Sequence, residues 1–136
     1  MAVVKELMRT EQDGSLSFGD YTLDQKAKLS DYEYQGDTMK VKTYQQITKL
    51  EKNGLFVYES VPGTAVEHLQ ITPDGMSFIV SGMKDTQIIL GLEENAEYRI
   101  TVDGADIGTM ETNMGGKLTM SIELEADQPV SVRVAK

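Results

Sequence analysis

Apolar side chains fall on every second residue through most of the C-terminal half of this chain. Met76, Phe78 and Val80 form one row, and Ile88, Leu90 and Leu92 form another. Tyr98, Ile100 and Val102 alternate with Arg99 and Thr101. Leu118, Met120, Ile122 and Leu124 alternate with Thr119, Ser121 and Glu123, and Val130, Val132 and Val134 with Ser131 and Arg133. Successive side chains of a pleated strand point to opposite faces, so this period makes one face dry and the other wet. A helix wants apolar residues three and four apart and does not fit it. Two sheets pressed together by their dry faces form a sandwich.

Turn residues cut the chain into pieces of strand length. Asp13-Gly14, Gly36-Asp37, Asn53-Gly54, Pro62-Gly63, Pro73-Asp74-Gly75, Asp103-Gly104 and Gly115-Gly116 mark the breaks. Each supplies a residue tolerant of positive φ or a proline preset for a turn. One pattern, Met-x-Thr-x-x-x-Gly-x-Leu-x-apolar, occurs twice, from Met8 to Phe18 and from Met110 to Met120. Strand, glycine turn and alternating strand are the parts of a β-hairpin, so both copies predict one. The first half is less regular. Leu16 and Phe18 share a face, as do Tyr32 and Tyr34, and a strand returns through Val41. Residues 47–58 read as a hairpin about Asn53-Gly54. Residues 23–29 and 44–50 fit either strands or about two helical turns each. The expectation is an all-β protein, an antiparallel β-sandwich built from hairpins with at most one short helix. It forms a single domain over 1–136, with 1–61 and 64–136 as candidate half-modules about Pro62-Gly63.

Charge and composition narrow the function. The 136 residues carry a formal net charge of −9, which repels phosphate backbones and anionic lipid and argues against nucleic acid or membrane as partner. There is no cysteine, which removes disulfides, thiolate metal sites and thiol nucleophiles and leans toward the cytoplasm. Lys5 and Glu6 interrupt any apolar stretch at the start, so no secretory leader is expected there. No apolar run approaches the ~20 residues of a membrane-spanning helix.

No catalytic pattern stands out. His68 is the single histidine; it excludes a histidine metal cluster and reads as a strand residue. Acid pairs such as Glu93-Glu94, or Glu123 with Glu125, are the raw material of glycoside hydrolysis but are common in any acidic chain. Asp103-Gly104-Ala105-Asp106 lacks the ligand spacing of a calcium loop and reads as a turn. Gly115-Gly116-Lys117 is followed by Leu118 where a phosphate loop needs Ser or Thr. No cofactor is expected. The candidate ligand-binding residues are Tyr32, Tyr34, Tyr44 and Tyr58, as an aromatic platform for sugar C–H faces, and Arg99 and Arg133, as grips for an anionic sugar.

Two resemblances add to this. The stretch Glu97-Tyr98-Arg99-Ile100-Thr101-Val102-Asp103-Gly104, with Gly108, Thr112, Gly116, Leu118 and Ile122-Glu123-Leu124, resembles the C-terminal β-sandwich pieces of polysaccharide-active bacterial enzymes. The resemblance implies a structural module without the catalytic groups. The segment from Ile47 to Val66 is similar to a group of small acidic clostridial proteins loosely labelled endosialidase. That label implies a glycan-active enzyme, which in sialidases rests on three arginines, a tyrosine nucleophile and a Ser-x-Asp-x-Gly-x-x-Trp box. This chain has Arg9, Arg99 and Arg133 but no Trp, so the box is absent. The leading expectation is a non-enzymatic cytoplasmic protein acting by protein interaction or self-assembly. A carbohydrate-binding module and a glycan-active enzyme are the alternatives.

Overall fold

The computed structural model describes residues 2–136. Among them there is no helix; thirteen strands form two antiparallel sheets. The strands are β1 (Met8–Thr10), β2 (Leu16–Phe18), β3 (Ala27–Tyr34), β4 (Asp37–Tyr44), β5 (Ile47–Lys52), β6 (Leu55–Val61) and β7 (Ala65–Thr72). They continue with β8 (Gly75–Ser81), β9 (Thr86–Gly91), β10 (Glu97–Val102), β11 (Ala105–Glu111), β12 (Lys117–Ile122) and β13 (Val130–Ala135). One sheet has seven strands in the order β1-β2-β7-β8-β13-β10-β11, and the other six in the order β12-β9-β6-β5-β4-β3. The two segments left between helix and strand are extended: residues 23–26 are loop, residues 45–46 are a turn, and strands occupy the rest.

The alternating rows meet between the sheets. Phe78, Val80, Ile88, Leu90, Ile100, Leu118, Met120, Val132 and Val134 belong to one continuous buried cluster. Strands from both candidate half-modules feed both sheets, through the β2–β7 pairing in one and the β6–β9 pairing in the other. The core therefore runs unbroken past Pro62-Gly63.

Tight turns fix the register of three hairpins. Asn53-Gly54 and Asp103-Gly104 have positive φ at both residues (51° and 78°; 49° and 81°), as a two-residue I′ hairpin turn requires. The third such turn is Gln35-Gly36, at 51° and 82°, one residue earlier than the sequence reading placed it. Asp37 instead begins β4.

The repeated hairpin signature is only half fulfilled. Met8 to Phe18 is a hairpin, with Met8 paired to Phe18 and Thr10 to Leu16. Met110 to Met120 is not: β11 pairs with β10 in one sheet, and β12 pairs with β9 in the other. The turns themselves match. Glu11 N donates to Ser15 O and Gly14 N to Glu11 O; Asn113 N donates to Lys117 O and Gly116 N to Asn113 O. The second turn is also tied to the neighbouring β9–β10 crossing, where Leu92 N donates to Gly116 O and Asn95 N to Asn113 O. Thr112 locks the corner: its hydroxyl donates to Glu93 O at 2.5 Å and accepts from Ala96 N at 2.9 Å. The same local turn thus carries the chain between sheets in one place and within a sheet in the other.

Candidate functional site

At the loop end beside the β3–β4, β5–β6 and β7–β8 turns, two clefts adjoin. The polar one, about 240 Å³, is lined by Asp13, Tyr34, Asp37, Lys52, Gln70 and Ile71, among others. The apolar one, also about 240 Å³, is lined by Leu55, Phe56, Val57 and Met76 and shares Lys52 and Ile71 with the first. Together they make a groove that is polar at one end and apolar at the other. The core residues Met39 and Met76 reach its floor. Leu55, the first residue of β6, is 72% exposed, and Ile71, near the end of β7, is 41% exposed.

The polar half is held by turn chemistry. Asn53 Nδ2 donates to Asp37 Oδ1 at 2.9 Å, and Lys52 Nζ stands 3.4 Å from Asp37 Oδ2. The Asn53 hydrogen bond first, then Lys52, hold the Asp37 carboxyl below its ordinary range, so it is an anion at neutral pH. Tyr34 donates its hydroxyl to Gly14 O at 2.7 Å, where Gln35 Nε2 also donates at 3.1 Å. Burial, then Asp13, push the Tyr34 phenol up, so it stays protonated.

Beside this cleft lies the one grouping of serine, histidine and acid among the described residues. His68 sits at a β-bulge in β7 with a left-handed backbone, φ 55°. Ser15 Oγ donates to Asp13 Oδ1 at 2.5 Å, and both Ser15 Oγ (3.0 Å) and Asp13 Oδ2 (3.2 Å) face His68 Nδ1. Ser15 has one hydroxyl proton, and it goes to Asp13, so Nδ1 carries the proton that the other two accept. A serine nucleophile needs an imidazole lone pair to take its proton, with the acid on the opposite ring nitrogen. Here serine and acid share one nitrogen and that nitrogen donates. The arrangement fixes the β1–β2 turn against β7 and does not activate Ser15. Glu11 continues the network, accepting from Ser17 Oγ at 2.5 Å and Arg9 Nε at 3.0 Å. Among the described residues no group of three or more His, Cys, Asp or Glu is arranged to hold a metal ion.

The sequence-derived candidates do not assemble into one surface. Tyr32 and Tyr34 lie half-buried on the core side of β3, and only Tyr34 enters the groove. Tyr32 instead shares a 3.0 Å hydrogen bond with Thr10 Oγ1. Tyr44 is at the other end of β4, donating to Gln46 Oε1 at 3.0 Å, with Lys26 Nζ 5.8 Å from its ring centre. Tyr58 is no part of a platform. It is wholly buried, edge-on to Phe18 and Phe78, with its hydroxyl 2.7 Å from Thr64 Oγ1. Its ring partners lie 40 and 20 residues away on β2 and β8, and spacing along β6 alone does not reveal them. Arg99 and Arg133 do come near each other. Arg133 pairs with Thr101, two residues along β10 from Arg99, and both are exposed on the outer face of the seven-stranded sheet. Arg99 is bound to Asp106 at 2.6 Å.

The chain matches no family model, no curated protein and no solved structure. The groove must therefore be read from its own chemistry. From sequence Asp13 and Asp37 read only as turn residues, and Leu55, Ile71, Lys52 and Gln70 are not singled out. One signal was available: Leu55-Phe56-Val57-Tyr58 is apolar without alternation, so one face of that strand start has to expose an apolar side chain.

Proposed function

We propose that this protein is a non-enzymatic binding module, acting in the cytoplasm, that grips a protein surface at its grooved loop end. The observation that carries the reading is Leu55 and Ile71 standing exposed on the apolar half of a groove whose other half offers Tyr34, Asp37 and Lys52. Protein interfaces combine an apolar anchor with a polar, hydrogen-bonding rim in this way. A large apolar side chain held in water near a cleft is an anchor in waiting. The proton arrangement at Ser15, Asp13 and His68 supports a binding role over a hydrolytic one.

Light scattering on the purified chain, with photo-crosslinking in a lysate of its source, tests the reading. A photoreactive residue at position 55 should give one discrete adduct, with a second copy or with another protein. The same residue at position 40, exposed on β4, should give none. Leu55→Asp with Ile71→Asp should abolish the association while leaving the unfolding temperature near that of the parent. A strict monomer with no discrete adduct at position 55 would refute it.

A second reading has its own observation. Tyr34, Asp13, Asp37 and Gln70 line one polar cleft, a mixture of ring face and carboxylate that also suits a neutral sugar. Glycan binding lost in Tyr34→Ala but retained in Leu55→Asp would favour that reading over the protein contact.

A further inference from the structure

The opposite loop end carries a second cleft, independent of the groove. It has a volume of about 340 Å³ and is lined by Tyr21, Gln45, Pro62, Met83 and Lys84 with neighbouring backbone. That volume lies at the small end of the range for small-molecule sites. Its walls are unevenly satisfied. Tyr21 is 4% exposed, and its hydroxyl is buried with no hydrogen-bond partner among the described residues. Burial first, then Asp127 and Asp20, raise the Tyr21 phenol, so at neutral pH it remains an O–H donor. A buried donor left without an acceptor is costly, and proteins rarely keep one for nothing.

Asp127 and Asp20 both act on the Tyr21 phenol, and the oxygens of Asp20 and Asp24 on this side already accept from neighbouring groups. Asp20 Oδ1 accepts from Thr22 N at 2.9 Å and Thr22 Oγ1 at 2.5 Å, and Asp24 Oδ1 accepts from Gln45 Nε2 at 2.9 Å. Lys84 supplies a second donor, with no ion pair among the described residues. Met83, 54% exposed, and the half-buried Pro62 supply an apolar wall. A buried donor without an acceptor and an ammonium without an ion pair, beside an apolar wall, call for an acceptor-rich head on an apolar body.

We propose that this cleft binds a small monocarboxylate with an apolar or aromatic body. The carboxylate takes the Tyr21 hydroxyl and the Lys84 ammonium, and the body lies against Pro62 and Met83. The net charge of −9 works against every anion, and Asp127 and Asp20 beside the phenol work against one at this place, so recognition depends on the Tyr21 hydroxyl and the Lys84 ammonium outweighing them. A neutral analogue of the same shape is then the decisive control.

The test is a titration of the isotope-labelled full chain with sodium benzoate, followed by backbone amide shifts, with benzyl alcohol as the neutral control. Saturable shifts should gather at Thr22, Gln45, Gly63, Met83 and Lys84. Tyr21→Phe should weaken binding about tenfold, the loss of one net hydrogen bond to a charged group. The same variant should unfold at the parent's temperature or above it, because the hydroxyl it removes bonds to nothing in the free protein. Lys84→Gln should weaken benzoate by a similar factor and leave benzyl alcohol unaffected. Benzyl alcohol binding as tightly as benzoate, shifts scattered over the surface, or unchanged benzoate affinity in Tyr21→Phe would each overturn the assignment.

Discussion

The Glu11 carboxylate accepts from Ser17 Oγ at 2.5 Å and from Arg9 Nε at 3.0 Å, and Arg9 also reaches Glu6 and Glu67. The hydrogen bond from Ser17 first, then Arg9, hold the Glu11 carboxyl below its ordinary value of 4.5. A carboxyl whose folded pKa is depressed stabilises the fold above its unfolded pKa, and that contribution fades as pH falls through the folded one. Glu11→Gln should therefore lower stability at pH 7. The gap between variant and parent should shrink as the pH drops below about 4.5, where the unfolded carboxyl begins to protonate. Urea unfolding at a series of pH values measures it; a gap that widens in acid would contradict the assignment. At this scale little was legible beforehand. Glu11, Ser15 and Ser17 meet within the Met8–Phe18 hairpin, but His68 joins them only because β2 lies against β7, and no spacing along the chain encodes that. Tyr58 was misjudged for the same reason: its ring neighbours are Phe18 and Phe78, brought together by both sheets.

The two copies of the glycine-turn signature separate what an element can reveal from what it cannot. Gly14 and Gly116 hold the same position in the same turn, with φ 85° and 75°. A side chain in that left-handed region is disfavoured by roughly 1–2 kcal/mol. Around Gly14 there is nothing within 4 Å of where a Cβ would stand, whereas at Gly116 that atom would lie 2.3 Å from Leu92 O. Gly14→Ala should therefore lose only about the conformational cost, roughly 1–2 kcal/mol. Gly116→Ala should lose clearly more, because the backbone of the β9–β10 crossing must shift. Paired thermal unfolding curves decide this, and equal losses would mean that the sheet-switching corner is not packed as described. The turn itself was readable, since its hydrogen bonds are local and a glycine is required. Which sheet the outgoing strand joins was not. That depends on Thr112 capping Glu93 O and Ala96 N, and on β9 offering Leu118 and Met120 a partner row. The alternating rows fixed which face of each strand is dry, and hence the sandwich. They say nothing of strand order.

For the whole molecule the dominant unbalanced quantity is charge: 22 acidic against 13 basic residues. Part of the excess is concentrated, with Asp85, Asp103, Glu123 and Glu125 lining one shallow cleft. A domain of this size has a radius of gyration of about 14 Å. At about 0.01 M ionic strength the screening length is roughly 30 Å, so every charge feels every other; at about 0.15 M it is roughly 8 Å, and only near neighbours interact. Added salt thus removes long-range repulsion among the carboxylates. It also weakens the ion pairs, but the Arg9 contacts and Arg99–Asp106 are partly or largely exposed, and such pairs contribute at most about 1 kcal/mol each. Repulsion should win, and the unfolding temperature should rise with sodium chloride over that range at neutral pH. Glu123→Gln with Glu125→Gln should raise the low-salt unfolding temperature and flatten its salt dependence. Both positions are exposed, and neither side chain fills the core. Circular dichroism melts read both effects. A temperature that falls with salt would mean that the ion pairs, and not the net charge, govern the stability of this sandwich.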